Sequence, residues 1–457
     1  MSWLFSNFTP AVQAGKNSKI RRLRLHLSLI ASQSLGLIFY NIFLLLYRAA
    51  IWLASFFNPK ASKWINGRRG IFKRLEAAIG KGNNTIWMHC ASLGEFEQGR
   101  PVLERLRSLY PNHKILLTFF SPSGYEIRKD YEGADWVFYL PMDGPGNARR
   151  FIEIVQPSLV IFVKYEFWYY YLKKIHYRNI PLLLISASFR KNSPFFKWYG
   201  SMYRKMLGRY DHLFVQNGSS KQLLSSIGLG EKCSVSGDTR FDRVQEIAST
   251  FKPIPVIEEF IGNGKAIVAG STWPEDELIL QKAFTALNNP SFKLIIAPHE
   301  INEKHLGDLQ ALFPSAIRFS KYQHGNSRQE SNVMIIDNIG MLSRLYKYGW
   351  ITYVGGAMSN RGIHNVLEAA VYDKIVLFGH NYEKYAEVVG LVQSGGGIPI
   401  PDLRKDGMLL SQVIDGLLGD KREYQFRSKA AGDFVRSNVG ATQKIIAYIQ
   451  ENRLLMR

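Results

Sequence analysis

Cysteine is almost absent from this sequence. Cys90 and Cys233 are the two in a chain of 457 residues. Two thiols so far apart make no disulfide framework, and no CxxC or Cys/His cluster points to zinc, so no metal is expected. Both read as reduced, buried thiols, with Cys90 at a strand end. Acid is scarce too: 37 Asp and Glu stand against 58 Lys and Arg, a net charge of +21. No internal repeat or low-complexity tract is evident. Hydrophobic residues at 46% and charged residues at 21% exclude a largely disordered chain. The length exceeds one ordinary core and fits two domains with an appendage.

The basic excess is concentrated at the front. Residues 1–81 hold thirteen Lys or Arg and a single acid, Glu76. Such a segment attracts anions, either lipid headgroups or nucleic-acid phosphates. Within it, residues 27–47 carry no charge, a length suited to crossing a hydrocarbon core of roughly 30 Å. Arg48 interrupts the run, AAIWLASFF continues it, and basic residues flank both ends: Arg21, Arg22 and Arg24 before, Lys60, Lys63, Arg68 and Arg69 after. A signal peptide would show a shorter apolar region and a cleavage site. The expectation is a basic tail over 1–26 and a membrane anchor over 27–60. The anchor either spans or lies in the interface with Trp52, Phe56 and Phe57 at headgroup depth. A buried soluble helix is the alternative. Charge that brackets an apolar stretch reads as membrane, and no nucleic-acid fold signature is present, so nucleic acid is not an expected partner.

From residue 85 onward, continuous apolar runs alternate with amphipathic stretches. TIWMHCASL, KILLTFF, ADWVFYL, SLVIFVKY, PLLLISA and HLFVQ read as strands; after KPIPVIEEFIGNG, read as a linker, come KAIVAGS, FKLIIAPH, NVMIID, WITYVGG and KIVLFG. Strands apolar on both faces with helices between them predict parallel sheets. The chain is therefore α/β, with two doubly wound domains, 61–250 and 255–450, and ligands are expected beyond the carboxyl ends of the strands, in a cleft between the halves.

The polar residues at those strand ends are the candidates for chemistry. Gly94-Glu95 follows the first strand at a helix start. Glu95 could act as a general base on a hydroxyl, or simply favour the helix dipole. Ser121, Ser123 and Gly124 at the next turn suit an anion or a helix cap. Lys164, Glu166 and Trp168 end a buried run, where charges need partners. The sharpest constellation is WITYVGGAMSNRGIHNVLEAA: Gly355-Gly356, Arg361, and a helix start near His364-Asn365 offering free N–H groups to an anion. Glu368, one turn further, could accept from ribose hydroxyls. Gly270-Ser271-Thr272, Pro298-His299 and Asn338-Ile339-Gly340-Met341 follow other strands and face the same rim.

HCASLGE, TFFSPSG, YLPMD, KYEFW, GDTRFD, AGSTWPEDE, APHE, DNIGML and VGGAMSNRGIHNVLEAA stand in the order seen in the 3-deoxy-D-manno-octulosonic acid (Kdo) transferases, which this sequence resembles over about residues 40 to 430. The resemblance implies a GT-B-type fold: two Rossmann-like domains with a cleft between them, plus an N-terminal membrane-anchor helix. It implies an enzyme on the cytoplasmic face of the bacterial inner membrane. Such an enzyme moves Kdo from CMP-Kdo to a lipid A precursor in lipopolysaccharide synthesis, inverting the anomeric centre without metal or cofactor. Glu95 matches the family's general base, and Glu166 and Arg240 match positions that stabilise the transition state. Pro298-His299, Ile339-Gly340-Met341 and Asn365-Val366-Leu367-Glu368 match the CMP-binding segments. Ser121, Ser123, Gly124, Ser271, Thr272, Arg361 and His364 join them as further binding candidates. The sequence departs from the family pattern in five places. His299 replaces an Arg, Lys164 replaces the first acid of its segment, Arg240 replaces a Lys and keeps the charge, Met341 replaces an acid, and SASFR stands where NARLS is usual. A UDP-sugar transferase of the same fold, or an inactive membrane-bound homologue, is the rival expectation.

Overall fold

Strands buried on both faces leave helices as the only cover, and that dictates the layering. The computed structural model describes residues 35–80, 82–323, 331–401 and 408–456. The basic tail 1–26 and the first part of the expected anchor, 27–34, lie outside the described residues. The described residues form two compact units, one up to residue 239 together with 442–456 and the other within 240–441. The sequence reading broke the chain at 250–255. The stretch read as a linker instead forms a helix, Pro255–Ile261, because Ile254, Ile257 and Phe260 bury into the core of the second unit. The final segment returns to the first unit, where Tyr448 stacks on His212 at 4.3 Å.

The first unit contains β1 (Thr85–Cys90), β2 (Lys114–Phe119), β3 (Trp136–Tyr139), β4 (Pro157–Val163), β5 (Leu182–Ala187), β6 (His212–Val215) and β7 (Cys233–Val235). They pair in parallel in the order β3-β2-β1-β4-β5-β6-β7. Every residue of β1 and β5 is buried. Trp87 centres one layer, with Phe151 at 4.7 Å and Phe162 at 5.2 Å. On the other face, helix Leu93–Leu109 inserts Phe96, Leu103 and Leu106, spaced by helical turns.

The second unit contains β8 (Lys265–Thr272), β9 (Phe292–Pro298), β10 (Ile317–Arg318), β11 (Val333–Ile335), β12 (Gly349–Val354), β13 (Ile375–Gly379) and β14 (Gly397–Ile400). Its order is β10-β11-β9-β8-β12-β13-β14, again parallel. Both units are Rossmann-like, as expected. In each, the chain reverses direction across the sheet at one point: between β1 and β4, and between β8 and β12. Ligands of such sheets collect at these points.

Helix Leu35–Ala54 is the one described helix long and apolar enough to cross a membrane. It runs through Arg48 and ends at Ala54, past the limit of the uncharged segment. One face packs on the first unit: Leu44 is buried, Tyr40 lies 6.0 Å from the Tyr169 ring and Tyr47 lies 6.2 Å from Trp64. The other face exposes Ile38, Phe39, Ile42, Phe43, Leu45 and Leu46. Tyr40 fastens the helix, its hydroxyl donating to Asp143 at 2.6 Å. The Asp143 carboxylate also accepts from the Tyr170 and Tyr171 amides at 3.0 and 3.1 Å. Burial raises the Asp143 pKa, and those donors oppose the rise. Tyr40→Phe should therefore cost about 1–3 kcal/mol in urea unfolding; an unchanged midpoint would show that this hydrogen bond adds no stability.

Candidate active site

Glu166 follows β4 and lies beside β1, at the reversal point of the first sheet. Its carboxylate is buried. Trp168 Nε1 donates to it at 2.5 Å, and His89 Nε2 lies 3.0 Å away. His89 is itself buried in β1, with Nδ1 2.9 Å from the Thr118 hydroxyl and 3.0 Å from the Thr118 carbonyl. The Tyr210 hydroxyl donates to the Glu166 carbonyl. The partner of Glu166 is thus His89, which sequence reasoning did not single out; its signal was a histidine inside a buried strand one turn from the Glu95 motif. Lys164 instead turns its ammonium over the Tyr165 ring at 5.7 Å and sits in left-handed backbone, φ 70°.

Glu95 lies in the first turn of helix Leu93–Leu109. The helix starts at Leu93, two residues before the carboxylate, and not after Gly94-Glu95. Ser92, at the N-cap, donates its hydroxyl to Glu95. The carboxylate is partly exposed, so it can both complement the helix N-terminus and reach a solvent-side hydroxyl. Ala91 and Glu166 also line a groove of about 980 Å³, with Phe39, Phe43, Trp198 and Tyr203 among its apolar walls. Ser121, Ser123 and Gly124 do something plainer. Ser121 caps helix Pro122–Arg128, its hydroxyl accepting from the Ser123 amide at 3.2 Å, and Gly124 is pressed on Phe119, where a Cβ would sit 2.2 Å from the ring.

At the reversal point of the second sheet the organiser is Asp276, a buried carboxylate in helix Pro274–Leu287. It accepts from the Trp273 amide at 3.0 Å, the Gly356 amide at 2.9 Å and the Tyr353 hydroxyl at 2.7 Å. Burial raises its pKa against these donors. The turn after β12 is thereby tied to the turn after β8. Gly355 is required there: a Cβ would meet the Ser271 carbonyl at 2.4 Å and Asp276 Oδ2 at 2.8 Å. Ser271 itself holds φ 53°, and the buried Thr272 hydroxyl donates to Glu277 at 2.9 Å.

An aromatic column rises from this knot. Arg361 lies over Trp273 at 4.2 Å, Trp273 and His299 are 4.6 Å apart, and His299 and His364 are 4.3 Å apart. Trp273 was not among the expected residues. The helix expected at His364-Asn365 is a single turn, Leu367–Ala370, so it offers no extended N-terminus. Asn365 takes up what there is, its Oδ1 accepting from the Leu367 amide at 3.2 Å and its Nδ2 donating to Glu368 at 3.1 Å. Val366 and Leu367 are buried, as are Pro298 and Met341, whose side chain belongs to the core. Ile339 is exposed, and Gly340 has φ 96°. Arg240 pairs with Glu387 at 2.7 Å.

Burial lowers the His299 pKa, and burial plus the neighbouring His299 brings His364 down to about 4. Both rings are therefore neutral near pH 7. The unfolded chain takes up a proton at His364 below about pH 6.5 while the folded chain does not, so stability present at neutral pH drains away as pH falls toward about 4. His364→Phe should remove part of that slope, by at most about 2 kcal/mol. Denaturant melts at about pH 7 and about pH 5 measure it; identical slopes in the two proteins would contradict the assignment.

Comparison with known proteins agrees with this layout. Residues 65–243 match the family model described as 3-deoxy-D-manno-octulosonic-acid transferase (kdotransferase). A 3-deoxy-D-manno-octulosonic acid transferase of Aquifex aeolicus is 27% identical over 350 residues, covering 76% of this chain and 89% of that one. That of Haemophilus influenzae is 24% identical over 416 residues, covering 88% and 95%. A bifunctional glycosyltransferase/methyltransferase of Fusobacterium nucleatum is 26% identical over 413 residues, 88% of this chain, which spans 59% of its length. In fold the chain resembles a glycosyltransferase from Rickettsia africae, with a TM-score of 0.54 and 17% identity over 81% of this chain and 98% of that one. It also resembles UDP-GlcNAc 2-epimerase from Neisseria meningitidis, with a TM-score of 0.59 and 17% identity over 80% and 100%. Residues 65–243 thus match the domain of that family model, the chain is similar over most of its length to 3-deoxy-D-manno-octulosonic acid transferases, and it is a glycosyltransferase with the GT-B-type pair of Rossmann-like domains.

Proposed function

We propose that this enzyme transfers Kdo from CMP-Kdo to a lipid A precursor in lipopolysaccharide core synthesis, at the cytoplasmic face of the inner membrane. One observation carries the reading. The family's motifs, in the family's order, follow strands of both sheets, and four of them fall at the reversal points: those ends hold Glu95 and Glu166 in one unit and the Gly355-Gly356 turn and Asn365–Glu368 in the other, with His299 at the end of neighbouring β9.

In this reading Glu95 takes the proton of an acceptor hydroxyl as its oxygen attacks the anomeric carbon of Kdo. The bond from that carbon to the CMP phosphate breaks, and CMP leaves with the electron pair. A single displacement inverts the centre and leaves no covalent enzyme intermediate; the resemblance implies that no metal takes part. Glu166, fixed by Trp168 and His89, faces the positive charge that develops on the sugar. Arg240 offsets the negative charge of the departing phosphate or of the Kdo carboxylate while sharing its guanidinium with Glu387. Glu368 holds the ribose. Neutral His299 supplies no cation where relatives of the family pattern carry Arg, and Arg361, stacked on Trp273, is the cation beside it.

A lipid acceptor agrees with the apolar groove beside Glu166, and a membrane location with the exposed apolar face of helix Leu35–Ala54. Replacing Phe39, Phe43 and Leu46 together by Ser should shift the protein from the membrane pellet to the supernatant without lowering its melting temperature; full retention in the pellet would reject the anchor. Glu95→Gln should keep the fold and lose transfer by about 10²–10⁴-fold, read with CMP-Kdo and a tetraacylated lipid A precursor. Undiminished transfer by Glu95→Gln would remove Glu95 as the base. A folded but inactive wild type would hand the case to the UDP-sugar or inactive-homologue reading.

A further inference from the structure

Beyond the candidate active site, the first unit contains a cavity of about 550 Å³ whose lining includes Arg48, Arg68, Arg69, Lys73 and Arg150. Five cations around one cavity repel one another unless an anion sits among them. Here Arg150 alone has an acidic partner, Glu76 at 2.9 Å. Among the described residues, Arg48, Arg69 and Lys73 form no ion pair with a carboxylate. Arg68 is bound by carbonyls instead: Leu140 at 2.8 Å, Phe120 at 2.7 Å and Trp64 at 3.1 Å. Its guanidinium lies 3.9 Å from the Trp64 ring. Burial brings its pKa down to about 9, with only tyrosines opposing the shift.

Three further features point to an anion. Trp64 lines the cavity, is 7% exposed, and its Nε1 has no hydrogen-bond partner. Helix Ile71–Ala78 begins in the wall at Gly70, with no side-chain cap and no acid in its first turn. Helix Pro145–Val155 also begins without a side-chain cap or an acid, and Asn147 of its first turn is in the wall. Uncapped helix starts present free N–H groups and partial positive charge. The rest of the lining is apolar, with Ile65, Ile71, Phe72, Pro141 and Met142. Cations with apolar walls suit an amphiphile better than a free ion. The position suits one as well: Arg48 comes from the apolar helix, whose Tyr47 packs on Trp64.

We infer that this cavity binds the phosphate of an anionic lipid. Phosphate oxygens accept from Arg69, Lys73 and the start of helix Ile71–Ala78, while the lipid's apolar part lies along Ile65, Phe72 and Met142. The lipid is either a phosphorylated acceptor or a membrane phospholipid. A short path joins the cavity to the candidate active site: Arg68 donates to the Phe120 carbonyl, the Phe120 ring lies tilted against Trp168 at 4.7 Å, and Trp168 donates to Glu166.

The test uses the full chain and vesicles of phosphatidylcholine with and without phosphatidic acid. Wild type should partition about tenfold more strongly onto the phosphatidic acid vesicles. R69Q/K73Q, at two exposed positions, should lose most of that increment and keep its binding to phosphatidylcholine alone. K421Q/K429Q, an equal charge change on an exposed helix of the second unit, should keep the increment. The inference is overturned if wild type does not discriminate, if R69Q/K73Q retains the increment, or if the control loses as much. A second arm rests on the transferase reading and identifies the source. A KM increase in R69Q/K73Q confined to a phosphorylated acceptor, absent with its dephosphorylated form, assigns the cavity to the acceptor; an unchanged KM with lost vesicle binding assigns it to membrane phospholipid. Inactive wild type would count against the transferase reading and leave the vesicle result standing.

Discussion

A buried carboxylate at the reversal point of each sheet is the constraint around which the rest is arranged. A parallel sheet covered on both faces has no room for charge along its strands, so polar chemistry is confined to the strand ends. Glu166 in the first unit and Asp276 in the second occupy those ends. A buried carboxylate without donors is costly, and each therefore fixes its surroundings. Glu166 sets the orientation of Trp168 and His89. Asp276 draws the amides of Trp273 and Gly356 and the Tyr353 hydroxyl onto itself, joining two turns. The two carboxylates differ in consequence. Glu166 lines a groove, whereas Asp276 has its oxygens committed to protein donors and acts by positioning the Gly355-Gly356 turn.

The N-terminal part of the first unit is built on a similar tension between burial and charge. Helix Leu35–Ala54 uses Tyr40, Leu44 and Tyr47 to hold the protein and leaves Phe39, Phe43 and Leu46 outward. A helix docked along one face and apolar along the other has a place for protein and a place for hydrocarbon. Arg68, Arg69 and Lys73, which follow it, line a cavity and pair with no carboxylate among the described residues, which fits an anionic surface and would be wasteful in water alone.

Much of this was legible in the sequence, for physical reasons. The buried strands were unmistakable because both faces are apolar, so β1, β4, β8 and β12 and the switch-point loops after them followed from pattern alone. The strands that escaped notice, β7, β10 and β14, have three, two and four residues and carry too little pattern. Pro255–Ile261 read as a linker because Pro and Gly punctuate it, yet Ile257 and Phe260 make it core. Glu95, Glu166 and Gly355 could be found because strand ends are few. His89 and Trp273 could not, since their importance lies in contacts across strands rather than along the chain. The helix at His364-Asn365 was overestimated: four residues, Leu367–Ala370, are all that form. The capping role of Ser121 was one of two readings that the spacing left open, and its hydrogen bond from the Ser123 amide favours it.

The central claim is the identity of the donor and acceptor. The most direct measurement supplies the full-length protein in membranes with freshly made CMP-Kdo, a tetraacylated lipid A precursor and, in parallel, a panel of UDP-sugars, and follows nucleotide release and the mass of the lipid product. The account predicts CMP release coupled to addition of Kdo to the lipid and no transfer from the UDP-sugars. Transfer of a UDP-sugar with CMP-Kdo untouched would contradict it.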